Sequence, residues 1–98
     1  MTLKKEREGE KLTVYIDGKL DAVTSPEFEK ELEDLSGIKE LVLDLKDLLY
    51  TSSSGLRVFL NLLKIMDGQG SMTVRNVNED VYDIFRETGF LKILDIEY

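Results

Sequence analysis

The sequence of 98 residues contains no cysteine, no histidine and a single proline. Without cysteine the chain can form no disulfide and perform no thiol redox chemistry, and without cysteine and histidine it lacks the ligands of Cys/His zinc sites. The missing imidazole also excludes any mechanism that depends on a histidine base, including the Ser-His-Asp type of hydrolysis.

Positive charge and long apolar segments are also scarce. Thirteen lysine and arginine residues stand against 20 acidic residues, the net charge is −7, and no basic run occurs. Because nucleic-acid binding needs clustered cations, this composition argues against a nucleic-acid partner. The longest apolar tract is interrupted by Asn61 and Lys64, and Met1 is followed by charge rather than by an apolar leader. We therefore expect no membrane span, no signal peptide and a cytoplasmic location.

The first residues predict a β-hairpin. Apolar and polar side chains alternate over residues 12–16, as in a half-buried strand. The highly charged residues 3–8 suit the other arm, at an exposed edge where charge discourages unwanted pairing. Residues 17–23 are predicted to form a loop.

A helix is predicted to follow this loop. Thr24 or Ser25 can cap it, Pro26 fits its first turn, and Glu27 completes a possible capping box with Thr24. Three apolar residues at helical spacing form its core-facing stripe: Phe28, Leu32 and Leu35. Gly37 is expected to end the helix.

The rest of the chain alternates strands with helices. Strands are predicted at 38–45, 71–75 and 90–96. Between them lie a largely apolar helix over 56–66 and a helix that Asn78 caps and Gly89 closes. This order implies right-handed crossovers. We therefore predict one α/β domain over residues 1–98, with a mixed, mostly parallel sheet of about five strands and three helices.

Three hydroxyls, Ser52, Ser53 and Ser54, stand between a predicted strand and the most apolar helix, and Gly55 follows them. As nucleophiles they would be weak, because a serine hydroxyl needs an adjacent base and no histidine exists. The G-x-S-x-G pattern of a nucleophile elbow is absent as well. Gly68-Gln69-Gly70 follows a helix instead of preceding one and is read as a turn, not a phosphate loop. No acidic residues have EF-hand spacing, so no metal site is predicted.

Two roles for the serines remain open from the residues alone. Ser53 or Ser54 can simply cap the helix, with Gly55 relieving crowding. Alternatively, one serine receives a phosphate, which the N–H groups and dipole of a helix N-terminus accommodate. A partner docked over the neutral hydroxyl would not tolerate that charge, so the modification would switch binding and leave folding intact.

Four segments together resemble the STAS domain signature. Leu41–Leu45 matches its apolar strand ending in Asp-Leu, and Tyr50–Arg57 matches its Asp/Ser-Ser-Ser/Ala-Gly-Leu element. Gly18–Asp21 with Thr24 matches Gly-x-Leu-Asp-x-x-Thr, and Thr88–Phe90 is similar to its Thr-Gly-Leu element. The matches run in order from about residue 10 to residue 96.

A free-standing STAS domain of this size is similar to the bacterial anti-sigma factor antagonists. The resemblance implies a non-catalytic protein without cofactors that binds an anti-sigma factor, a GHKL-type serine kinase, and so releases the sigma factor. Phosphorylation would switch binding off, and a metal-dependent, PP2C-like phosphatase would restore it. The phosphoacceptor maps to Ser53, and loops 18–25 and 50–57 would contact the partner. The implied contact residues are Asp21, Thr24, Ser52, Ser53, Ser54, Gly55, Leu56 and Arg57.

The sequence departs from the family pattern at Thr51, where an apolar residue is usual, and at Ser52, where aspartate is commoner. It also stops at the predicted last strand, whereas many members continue into another helix. One sheet face is therefore expected to be barer than usual, or to be covered by a partner or a second copy of the chain. The alternative implied by the family is a STAS scaffold or a small-ligand or nucleotide sensor without a phosphorylation cycle.

Overall fold

Six strands and three helices make up the computed structural model, which describes residues 1–98. The strands are β1 (Thr2–Glu8), β2 (Lys11–Leu20), β3 (Glu40–Asp44), β4 (Leu48–Thr51), β5 (Ser71–Arg75) and β6 (Ile96–Glu97). The helices are α1 (Thr24–Glu31), α2 (Ser53–Asp67) and α3 (Glu79–Thr88), followed by a 3₁₀ turn over Phe90–Lys92. None of these helices combines the length and the apolar character that crossing a bilayer requires.

The strands form a single mixed sheet in the order β1-β2-β3-β5-β6. β1 runs antiparallel to β2, and all other pairs are parallel. β4 pairs with the last residues of β2, beyond the point where β3 ends. The α/β class, the mostly parallel sheet and the exposed hairpin arm are therefore confirmed.

Aromatic side chains join the helices over the buried side of this sheet. Phe59 of α2 meets Phe28 of α1 edge to face at 5.8 Å between ring centroids, and Phe85 of α3 in the same manner at 6.0 Å. All three rings are fully buried. Edge-to-face pairs contribute about 0.5–1.5 kcal/mol each beyond their buried area. α2 thus lies between the other two helices and contacts both of them through Phe59.

Two strand predictions were wrong. Residues 17–20 continue β2 instead of forming a loop, because they pair with β4, a strand that the sequence pattern did not reveal. The strand predicted over 90–96 is mostly a turn: Phe90 C=O accepts from the N–H groups of Ile93 at 3.1 Å and Leu94 at 2.9 Å. Only Ile96–Glu97 pairs with β5.

The predicted end of α1 was wrong, whereas both predicted ends of α3 are confirmed. α1 ends at Glu31, well before Gly37, although Leu32 and Leu35 are buried as expected. For α3 the local signals were correct: Asn78 Oδ1 accepts from Val81 N–H at 3.0 Å, and Gly89 adopts φ 82°.

Candidate functional site

The serines lie where β4 passes into α2. Ser52 is the residue before the helix, its N–H donates to Leu20 C=O at 2.8 Å, and its own C=O accepts the first helical bond from Leu56 N–H at 3.0 Å. Ser53 is the first residue of α2. The predicted passage from strand to helix is confirmed, but the strand is β4 and not the one predicted over 38–45.

The three hydroxyls differ in their access to solvent. Ser53 is exposed, Ser54 is half-buried, and Ser52 Oγ is buried without a hydrogen-bond partner. The cap position belongs to Ser52, and its side chain makes no capping bond. The capping role considered for Ser53 or Ser54 is therefore wrong. Ser53 is the most exposed of the three serines.

Gly55 is required by close packing beneath the start of α2. A Cβ atom at this position would overlap Thr51 Oγ1 and would lie 2.8 Å from Leu20 Cβ. Leu20 is fully buried in the core, so it has little room to move away. The expectation that Gly55 relieves crowding is confirmed, and the glycine lets β2 approach the serine-bearing turn.

Gly55→Ala is expected to lower the free energy of unfolding by about 1–2 kcal/mol, since overpacking outweighs the gain in helix propensity. Gly68→Ala is the matched control, because the nearest atom to its Cβ would be Ile65 C=O oxygen at 3.9 Å. Urea unfolding of both variants measures the difference. Equal stability of the two would contradict the packing explanation.

Asp21 and Thr24 hold each other in the loop that follows β2. Asp21 Oδ1 accepts from the N–H groups of Val23 and Thr24, each at 2.9 Å. Thr24 Oγ1 accepts from Asp21 N–H at 2.9 Å and donates to Lys19 C=O at 2.8 Å. The backbone hydrogen bonds from Thr24 and Val23 hold the pKa of Asp21 below its ordinary value. The predicted capping box of Thr24 with Glu27 was wrong: Thr24 fixes the loop instead.

The pairing of β4 with β2 brings this loop beside the serines. Leu20, which receives the Ser52 N–H and faces Gly55, directly precedes Asp21. The predicted residues thus form one region from two distant segments of the chain. Gly55 and Leu56 are buried in it, so they shape the site from below, whereas Arg57 is exposed.

Sequence reasoning missed the exposed apolar side chains of this region. Val23 is 74% exposed, Leu49 is 62% exposed and Tyr50 is 47% exposed. Val23 stands in the Asp21 loop, and the other two precede the serines on β4. Apolar residues next to polar loops were the available signal, but only the structure shows that they do not enter the core. Scattered apolar exposure is ordinary; here three such residues flank one site.

The surroundings of Ser53 define what its hydroxyl can interact with. The exposed Ser53 hydroxyl has no histidine to activate it, and no group of acidic side chains converges to hold a metal ion. What the site provides is an exposed hydroxyl at the positive end of a helix of 15 residues whose first turn contains no acidic side chain. Such a position accepts a negatively charged group.

Comparison with known proteins agrees with this fold. The STAS domain family model matches residues 2–98. The anti-sigma-B factor antagonist of Bacillus subtilis is 33% identical over 87 residues, which cover 87% of this chain and 80% of that protein. The anti-sigma-B factor antagonist of Listeria monocytogenes is 29% identical over 97 residues, which cover 95% of this chain and 84% of that protein.

Solved structures show the same fold. A putative anti-sigma factor antagonist from Thermotoga maritima superposes with a TM-score of 0.88 at 21% identity, covering 96% of this chain and 84% of that one. The anti-sigma factor antagonist SpoIIAA in its unphosphorylated form superposes with a TM-score of 0.84 at 15% identity. The match covers 99% of this chain and 89% of that one. With the family model matching nearly every residue, this chain belongs to the STAS domain family.

Proposed function

We propose that this protein is an anti-sigma factor antagonist whose binding is switched off by phosphorylation of Ser53. The observation that carries the proposal is the exposed Ser53 hydroxyl at the first residue of α2, beside the ordered Asp21–Thr24 loop. The names of the relatives support the partner class, an anti-sigma factor. A solved structure of SpoIIAA in its phosphorylated form is also similar, with a TM-score of 0.76 at 14% identity.

The switch acts on binding because the folded domain tolerates an anion at Ser53. The helix end stabilises a nearby negative charge by about 0.3–1 kcal/mol, and Ser53 is exposed to solvent. A partner packed over Ser53 and the exposed Leu49 and Tyr50 would instead have to remove the phosphate dianion from water. That cost exceeds what the helix end returns, so the complex dissociates.

The chain itself performs no chemistry in this scheme. A GHKL-type serine kinase, which is the anti-sigma factor, transfers the phosphate to Ser53, and a PP2C-like phosphatase removes it. Asp21 and Thr24 fix the loop that meets the partner, and Arg57 and Ser54 complete the surface on α2.

Incubation with GHKL-type kinases of the source organism and ATP tests the proposal. We expect one phosphate on the peptide that contains Ser53, located by mass spectrometry, and none on Ser53→Ala. The half-buried Ser54 and the buried Ser52 Oγ should remain unmodified in both proteins. Phosphate on Ser52 or Ser54 alone would contradict the assignment of Ser53. No transfer at all would favour a STAS scaffold or sensor.

A further inference from the structure

We propose that Arg57 is the internal counter-ion of the phosphate on Ser53, an assignment whose biological role rests on the proposed function. Arg57 follows Ser53 by four residues on α2, and both side chains are exposed. Residues separated by four positions are neighbours on a helix surface. An anion that precedes a cation by this spacing is the favourable orientation.

The guanidinium of Arg57 is free to take this role. The ion pairs of the structure involve Lys4, Lys5, Arg75 and Arg86, and none involves Arg57. Arg57 lines a small groove of about 190 Å³ between α1 and α2, together with Ser54 and Asn61. Arg57 is thus a cation without a carboxylate partner in the chain, and it lies about one helical turn from Ser53.

None of the carboxylates of the surrounding elements forms an ion pair with Arg57. Glu29 of α1 lines the same groove, but its Oε2 accepts from Asn61 Nδ2 at 3.0 Å. Asp21 in the preceding loop accepts from Val23 and Thr24. The first turn of α2 contains no acidic residue. A phosphate on Ser53 therefore becomes the strongest anion within reach of Arg57, with up to two negative charges and three acceptor oxygens.

Phosphorylation then changes the charge of the binding surface in two ways. It adds a dianion, and it withdraws a cation that the unmodified surface presents to a partner. In the unmodified protein, Arg57 can meet a carboxylate of the anti-sigma factor; after modification it is held by the phosphate.

The pairing can be measured with phosphoserine placed at position 53 during translation, so that no kinase is needed. The second ionisation of the phosphate is followed by ³¹P NMR from pH 4 to pH 9. Because a nearby cation favours the dianion, Arg57→Gln should raise the measured pKa of the phosphate by about 0.2–0.4 units. Arg57→Lys should shift it less. Raising NaCl to about 1 M should shrink the difference, since salt screens exposed charges.

Lys64→Gln is the matched control, because Lys64 is an exposed cation of the same helix that is likewise absent from the ion pairs. It should leave the phosphate pKa unchanged. An unchanged pKa in Arg57→Gln, or an equal shift in Lys64→Gln, would overturn the assignment. The two experiments test separate proposals. Absence of phosphate transfer to Ser53 in the kinase assay contradicts the proposed function, whereas the NMR titration reports only on the pairing of Arg57 with the phosphate.

Discussion

Ser53→Asp is expected to weaken binding to the anti-sigma factor by about 100-fold or more while the domain stays folded. The carboxylate would lose its hydration under the partner, and burying an added charge at an interface costs several kcal/mol. A loss of about 2.8 kcal/mol corresponds to that 100-fold change. At the helix N-terminus of the free protein, the same charge is tolerated or slightly stabilising.

Calorimetric titration of the partner with the variant and with Ser53→Ala measures this effect. Ser53→Ala should bind close to the level of the unmodified protein, because it adds no charge. Ser36→Asp is a control for added charge: Ser36 is exposed in the segment before β3, at the opposite end of the parallel strands. Binding of Ser53→Asp at full strength would contradict the switch, as would an equal loss in Ser36→Asp.

The second large expected effect is on the stability of the fold, and it concerns a polar cluster on the sheet face opposite the helices. Tyr15, Asp44 and Arg75 are register neighbours on β2, β3 and β5. Asp44 is 5% exposed; its Oδ2 accepts from Arg75 Nε at 3.0 Å and from Asn76 Nδ2 at 2.9 Å. Its Oδ1 accepts from Lys46 N–H at 3.1 Å. The carboxylate thus ties the turn that leads into β4 to the loop after β5.

The same cluster supports an unusual backbone conformation. Asn76 has φ 54°, the left-handed region that residues other than glycine adopt at a cost. The hydrogen bond from its side chain to Asp44 offsets part of that cost. Two residues later, Asn78 Nδ2 donates to Leu48 C=O at 2.6 Å and so holds β4 against the N-terminus of α3. The cluster is therefore connected to the strand that carries the serines.

Asp44→Asn is expected to lower the free energy of unfolding at pH 7 by about 2–3 kcal/mol. Removing one member of a fully buried ion pair costs about 3–5 kcal/mol, and the loss here is smaller because Arg75 is 28% exposed and keeps contact with water. Asp47→Asn, at an exposed turn position nearby, is the control and should change stability by less than about 0.5 kcal/mol. Urea unfolding of the three proteins measures the difference.

The difference in the free energy of unfolding between wild type and Asp44→Asn should depend on pH in a defined direction. Burial alone would raise the pKa of Asp44, but the hydrogen bonds from Lys46 N–H, Arg75 and Asn76 outweigh burial and hold the pKa below its ordinary value. A carboxyl group with a lowered pKa contributes stability above its unfolded pKa of about 3.9, and this contribution is lost as the pH falls through the folded value. The gap between wild type and Asp44→Asn should be full at pH 7 and narrow below about pH 4. A gap that stays constant from pH 7 to pH 3 would show that the charge of Asp44 is not responsible.

Local signals in the sequence determined much of the fold. The alternation over residues 12–16 identified β2, because period-two burial is a property of a single strand. Asn78 and Gly89 marked the ends of α3, because caps depend on backbone groups within one turn. The same kind of signal located the serines before α2. In addition, the absence of histidine determined by itself that these hydroxyls lack the usual base.

Tertiary structure decided what depends on distant partners. β4 is only four residues long and has no periodic pattern of its own; its pairing with β2 defines it. That pairing sets the Asp21 loop beside Ser53 and makes Gly55 necessary, although about 30 residues separate these segments. Tertiary structure also decides how the three adjacent serines differ in exposure: Ser53 is exposed, Ser54 is half-buried and Ser52 Oγ is buried. Hydroxyls of identical chemistry differ only in the surface that the folded chain leaves open, and this fold leaves Ser53 exposed.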